Sequence, residues 1–194
     1  VADGNTISDY DKEEIKRQFS ISTTMVPIEY EGAEGKIKIN LLDTPGYFDF
    51  VGEVEEAVSA ADAAIIVVNC KAGIEVGTEK AWDLCEEYKL PRIIFVTNMD
   101  DDHASFRELI LKLEKKFGRK IAPFQVPIRE NEKFVGFVNA VKMQGRRFTN
   151  LSDYEDCEIP EYTKKNLGII RDALIEAVAE TSEEYMERYF SGEE

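Results

Sequence analysis

The sequence predicts an α/β fold, a parallel sheet with helices, that carries a mostly antiparallel α+β module in its second half. Two observations predict the first part. The runs at 63–68 and 93–96 are nearly continuous Ile, Val, Ala and Phe, as strands buried on both faces of a parallel sheet are. Around them lie stretches whose apolar residues recur at helical spacing, and strands alternating with helices build parallel crossover units. The module rests on a third observation: after Gly118, short strand-like runs succeed one another across polar connections.

In chain order, residues 37–42 form the first apolar run and read as a strand. Val51, Val54, Val58 and Ala61 then follow the 3, 4, 3 spacing of a helix face. After strand 63–68 comes a helix with Ala81, Leu84, Cys85 and Tyr88 on its stripe; Trp82 and Tyr88 read as core. Strand 93–96 leads to a third helix striped by Phe106, Leu109, Ile110, Leu113 and Phe117. Beyond Gly118, residues 124–128, 134–141 and 146–149 read as strands, and the acidic stretch 151–161 as a loop closed by Pro160. A long helix is expected over 161–181, with Leu167, Ile170, Leu174 and Val178 on one face. Ser182, ahead of Glu183 and Glu184, caps a last short helix ending near Gly192.

Composition narrows the class. The 194 residues fit one domain with a sizeable insertion, at roughly 100–200 residues per domain. With 24 Lys and Arg against 39 Asp and Glu, the net charge is −15. That argues against a broad basic face for nucleic acid, although a local contact with a large RNA-containing partner stays open. Arg146 and Arg147 are too few to mark an RNA surface. No apolar run approaches the roughly 18 residues of a membrane helix, and the start has no signal-peptide pattern, so a soluble cytoplasmic protein is expected. Cys70, Cys85 and Cys157 are odd in number and lack CxxC spacing; the first two sit in apolar stretches and read as small buried hydrophobes. A single histidine, His103, removes every multi-histidine metal site.

The informative segment is Leu41-Leu42-Asp43-Thr44-Pro45-Gly46, directly after a strand. A carboxylate at a strand end can hold magnesium through water, and a glycine three residues on lets a backbone N–H approach a phosphate with no Cβ in the way. DxxG alone is common and a plain turn explains it. The longer run DTPGYFDFVGEV, lying between a strand and a helix, is far more specific.

With that run the chain resembles the GTP-binding domain of translational GTPases, and is most similar to bacterial elongation factor G and its close paralogues. DTPGYFDFVGEV resembles the family's DTPGH-x-DF-x-x-EV, residues 72–78 resemble the stretch before the next helix, and residues 90–96 lead into the base-recognition motif. Residues 125–143, with VPI and FVGFVNAVKM, resemble the subdomain inserted into that family's GTPase domain. The resemblance implies an incomplete P-loop NTPase-type sheet with helices on both faces. It implies a partial GTPase core over 1–120, and the inserted α+β subdomain with C-terminal helices over 121–194.

Carried over residue by residue, the resemblance implies that Asp43 holds Mg2+ through water and that the Gly46 amide meets the γ-phosphate of GTP. Ser20, within RQFSIS, stands where the family's first switch has its magnesium-ligating threonine; the alternative is a surface serine in a β-rich segment. The base-recognition motif Asn-Lys-x-Asp aligns without gaps on Thr97, Asn98, Met99 and Asp100, and with a one-residue slip on Asn98 to Asp101. The ungapped frame is preferred because Phe95-Val96 matches directly upstream. Asp100 then accepts the guanine N1 and N2 hydrogens, and Thr97 and Asn98 weaken the grip on the base. Tyr47 takes the place of the histidine that positions the attacking water, and a phenol, ionising near pH 10, is a poor general base at neutral pH.

No GxxxxGK[ST] occurs in the sequence. The expectation is therefore a fragment of a longer protein, lacking the first strand, phosphate loop, first helix and final strand, and binding GTP/GDP poorly by itself. Unpaired sheet edges would favour self-association. The partners the resemblance implies are the ribosome and its stalk protein, the latter on the inserted subdomain. The alternatives are a ribosome-docking paralogue with weak or no GTP turnover and a tetracycline-resistance ribosomal protection protein.

Overall fold

Local signals start and stop each element. Asp11 caps helix α1 (Lys12–Arg17) by accepting from Glu13 N–H at 2.7 Å, and Glu14 returns a bond from Asp11 N–H at 3.2 Å, a capping box. Gln18 ends the helix in the left-handed region, φ 62. Strands β1 (Thr24–Gly32) and β2 (Gly35–Asp43) pair antiparallel, with Thr24 opposite Asp43. The ladder extends the strand expected at 37–42 in both directions and adds β1, whose short Met25 to Ile28 apolar stretch is interrupted by Pro27. The computed structural model describes residues 6–32, 35–131, 133–150 and 153–192.

A 3-10 turn (Phe48–Phe50) leads into α2 (Val51–Ala60), then β3 (Ala64–Asn69), α3 (Val76–Glu87) and β4 (Arg92–Thr97). Ala64 N–H donates to Pro91 O at 2.9 Å and Cys70 N–H to Thr97 O at 3.0 Å, so β3 and β4 advance together as a parallel pair. Their burial departs from expectation. Ile66 and Val68 are buried, but Ile65 (59 %), Val67 (60 %), Ile93 (52 %) and Phe95 (58 %) are exposed. Successive side chains alternate between faces, and one face of this pair is open rather than covered. On α3, Trp82 and Cys85 are buried as expected, with the Arg92 guanidinium 3.9 Å over the Trp82 ring; Tyr88, expected in the core, is exposed.

The remaining elements are α4 (Phe106–Phe117), a 3-10 turn (Gly118–Lys120), β5 (Gln125–Glu130), β6 (Lys133–Asn139), β7 (Gln144–Phe148), β8 (Tyr154–Cys157), α5 (Glu161–Ala179) and α6 (Glu183–Ser191). Ser182 caps α6 as read, accepting from Tyr185 N–H at 3.2 Å. The acidic stretch taken for a loop contains β8, because its carboxylates face a basic strand. Arg146 lies opposite Asp156 and Arg147 opposite Glu155, and opposite charges across strands are stabilising.

The chain divides into two units, residues 1–67 with 75–95 and residues 68–74 with 96–194. In the second, β5 to β8 form an antiparallel meander. Ile128, Val138, Ala140 and Leu167 make its buried core, with Val126, Val135, Ile159 and Ile170 packed against them. Tyr162 of α5 ties the helix to the sheet: its hydroxyl accepts from Arg129 N–H and donates to Arg129 O, each at 3.0 Å. Arg129 is where a register shift breaks the β5–β6 ladder, which explains why its backbone groups turn to a side chain.

Candidate functional site

The first unit holds Ser20, Asp43, Gly46 and Tyr47. Asp43 is the last residue of β2 and is exposed; Thr44 is half-buried, Pro45 buried and Gly46 exposed. A Cβ built on Gly46 meets nothing within 4 Å, so this backbone has open room on its outer side. Tyr47 opens the 3-10 turn and is 57 % exposed. Its ring packs on Phe19 at 4.7 Å between centroids, and Phe19 also meets Phe50 at 6.3 Å. Ser20, the next residue, is half-buried. The segments carrying Ser20 and Tyr47 are therefore in contact through Phe19. Lys80 of α3 lies 4.3 Å over the Phe48 ring.

The second unit holds Thr97, Asn98 and Asp100. Thr97 ends β4, and its hydroxyl donates to Val68 O at 3.5 Å. Asn98 adopts a left-handed conformation, φ 55, which asparagine tolerates better than most residues, and its Oδ1 accepts from Asn69 Nδ2 at 3.0 Å. Met99 is buried, with its carbonyl accepting from the Arg129 guanidinium at 2.6 Å. Asp100 is exposed. Asp101 accepts from His103 N–H at 2.8 Å and from Lys71 Nζ at 3.2 Å. The His103 amide, then the Lys71 ammonium, hold its carboxyl below the usual carboxylate range. Burial pushes the Cys70 thiol up, against the pull of Arg129.

Residues 1–184 match the family described as the elongation factor Tu GTP binding domain. The chain belongs to that family. It is 36 % identical over 186 residues to an elongation factor G-like protein of Thermotoga maritima, covering 96 % of this chain and 26 % of that protein. It is 35 % identical over 196 residues to elongation factor G of Thermotoga petrophila, covering 100 % of this chain and 28 % of that one. A crystal structure of a Thermus thermophilus protein superposes with a TM-score of 0.89 at 34 % identity, over 100 % of this chain and 28 % of that one. The chain thus spans about a quarter of the length of the curated relatives it matches. The resemblance first seen in DTPGYFDFVGEV and the α/β class are both borne out.

In the first unit of this translational GTPase domain, the Asp43 carboxylate and the Ser20 hydroxyl are each a hard oxygen donor. Oxygen donors of this kind are the ligands magnesium prefers over thiols. Among the described residues no group of three or more His, Cys, Asp or Glu could hold a metal. Sequence reasoning missed Glu14, Glu53 and Phe19, which shape the Ser20 segment, and Lys71, which holds Asp101. Two of them left a signal: Glu14 in the Asp11-x-x-Glu14 capping box, and Glu53 as the glutamate of DTPGYFDFVGEV.

Proposed function

We propose that this chain is the GTP-binding and hydrolysing domain of an elongation factor G-like protein, acting on the ribosome in the cytoplasm to drive translocation or a related step. The observation that carries it is the DTPG stretch leaving β2 with Asp43 exposed and Gly46 open, in a chain about a third identical to elongation factor G along its whole length. In this reading the Ser20 hydroxyl ligates Mg2+ and Asp43 holds it through water, the remaining ligands being phosphate and water. Bound magnesium neutralises charge on the phosphates. The Gly46 N–H meets the γ-phosphate, and the Tyr47 hydroxyl orients water. Asp100 accepts from guanine, with Thr97 and Asn98 at the rim of the base. The commitment of Asp101 to Lys71 and His103 supports the frame that gives this role to Asp100.

Residues 1–120 serve as a partial GTPase core and 121–194 as the inserted subdomain with C-terminal helices. The ribosome is the partner, its stalk protein meets the insert, and the 194-residue chain self-associates through unpaired sheet edges, helped by the open β3–β4 face. The chain alone binds GTP weakly. Calorimetric titration of magnesium-GTP should be silent for it and show binding for a version extended upstream through a GxxxxGK[ST] loop. Silence in both would overturn the reading, and tight binding by the short chain would overturn the weak-binding part.

Tyr47 favours a second reading, a ribosome-docking protein with little turnover. In the extended protein, Tyr47→His should raise ribosome-stimulated hydrolysis by about 10²-fold, as a well-placed general base does. A stimulated rate at background with either residue would favour docking.

A further inference from the structure

Three consecutive backbone amides follow Ser20, and all three donate to carboxylates. Ile21 N–H and Ser22 N–H donate to Glu14 Oε1 at 2.9 and 3.2 Å, and Thr23 N–H donates to Glu53 Oε2 at 2.6 Å. The Thr23 hydroxyl adds a bond to Glu53 O at 3.0 Å. Glu14 is buried at 3 % exposure, and its other oxygen accepts from Asp11 N–H. Successive N–H groups concentrate partial positive charge, and bonds from them to a carboxylate are roughly twice as strong as neutral ones. A buried carboxylate is tolerable only with such donors.

We propose that Glu14 and Glu53 are positioning residues: a strap of two carboxylates that fastens the Ser20 segment between α1 and α2 and fixes where the Ser20 hydroxyl stands. The two anchors are reached from opposite sides. Glu14 precedes the segment on α1, while Glu53 lies in the first turn of α2, three residues past the 3-10 turn that Tyr47 opens. The helix that holds Thr23 therefore also continues from the Tyr47 stretch. Phe19, against Tyr47 and Phe50, closes the same clasp with an apolar contact. Displacing Tyr47 must then pull on Ser20 through two independent connections. The strap rests on the reading of Ser20 as a magnesium ligand, but its existence does not.

Amide hydrogen exchange on the 194-residue chain tests the strap without nucleotide. Glu14→Ala should speed exchange at Ile21 and Ser22 by about tenfold or more and spare Thr23, and Glu53→Ala should do the reverse, since one hydrogen bond to a charged group corresponds to a factor of about ten or more. Glu14→Gln and Glu53→Gln keep an acceptor oxygen and should restore most of the protection. Unchanged exchange in the alanine variants, or a uniform rise across the first unit, would overturn the strap. In the upstream-extended protein, each alanine variant should raise the magnesium concentration for half-maximal GTP binding several-fold, with recovery in the glutamine variants. If Ser20→Ala shifts that concentration and the strap variants do not, the positioning role fails. If Ser20→Ala itself shifts nothing, the reading of Ser20 fails and the purpose of the strap goes with it.

Discussion

One face of the β5–β8 meander and one face of the β3–β4 pair are both apolar and end in opposite states. In the meander, Val138 and Ala140 are fully buried because Leu167 of α5 closes over them. In the pair, Ile65, Val67, Ile93 and Phe95 stand more than half exposed on one face. The difference is a second layer. The meander's helix follows its last strand within a few residues, so its core closes locally. An apolar run therefore states that a strand is suited to being covered, and leaves open what covers it.

Mutations in the meander should separate the two regions most sharply. Gly136 of β6 faces Arg147 of β7, and a Cβ there would stand 2.1 Å from Arg146 O and 2.9 Å from Arg147 Cα. Both neighbours are backbone, so Gly136→Ala should cost about 4 kcal/mol or more, an exceptional loss for one methyl group. Urea unfolding followed by circular dichroism would register it, and a midpoint within error of the parent would show that β6 and β7 can part freely. Leu167→Ala, which empties the centre of the same core, should cost about 3 kcal/mol. A smaller loss would mean that α5 settles into the gap.

Within the second unit, the loop of residues 98–103 should be the acid-sensitive part. Folding holds the Asp101 carboxyl below its ordinary value through the His103 amide and Lys71. A depressed carboxylate stabilises the fold above its unfolded pKa, about pH 4, and that contribution is lost as pH falls through the lowered folded value. Exchange at the His103 amide should accelerate below about pH 4 before exchange in β6 does. Asp101→Asn should flatten this response. Parallel acceleration of loop and sheet would erase the distinction.

What was legible in the sequence follows from the same physics. The strands β3 and β4 announced themselves by continuous apolar runs, the helices α2 to α5 by an apolar period, and α6 because Ser182 caps it. β1 and α1 did not: the short apolar stretch Met25 to Ile28 of β1 is interrupted by Pro27 and followed by charged residues with little burial, and α1 has six residues without an apolar stripe. β8 was hidden by its acidity, which became intelligible only once Arg146 and Arg147 stood opposite. At the candidate site, DTPGYFDFVGEV marked the stretch after β2. The Glu53–Thr23 and Lys71–Asp101 contacts each join residues 30 apart, a pairing that no local pattern encodes.

The smallest expected effect is also the one that bears on the open face. Ile66 is buried and Phe95 is 58 % exposed, although each sits on the same pair of strands. Ile66→Val should cost about 1 kcal/mol by removing one buried methylene. Phe95→Ser removes a whole aromatic ring, yet at low protein concentration it should move stability by no more than about 0.5 kcal/mol, because little of that ring leaves water on folding. At high concentration the two substitutions should diverge again. If copies of the chain meet through this face, light scattering should show Phe95→Ser shifting the population toward monomer while Ile66→Val leaves it unchanged. A loss of about 1 kcal/mol or more from Phe95→Ser in dilute solution would mean that the face is covered within a single chain, and the contrast with the meander would then be one of degree.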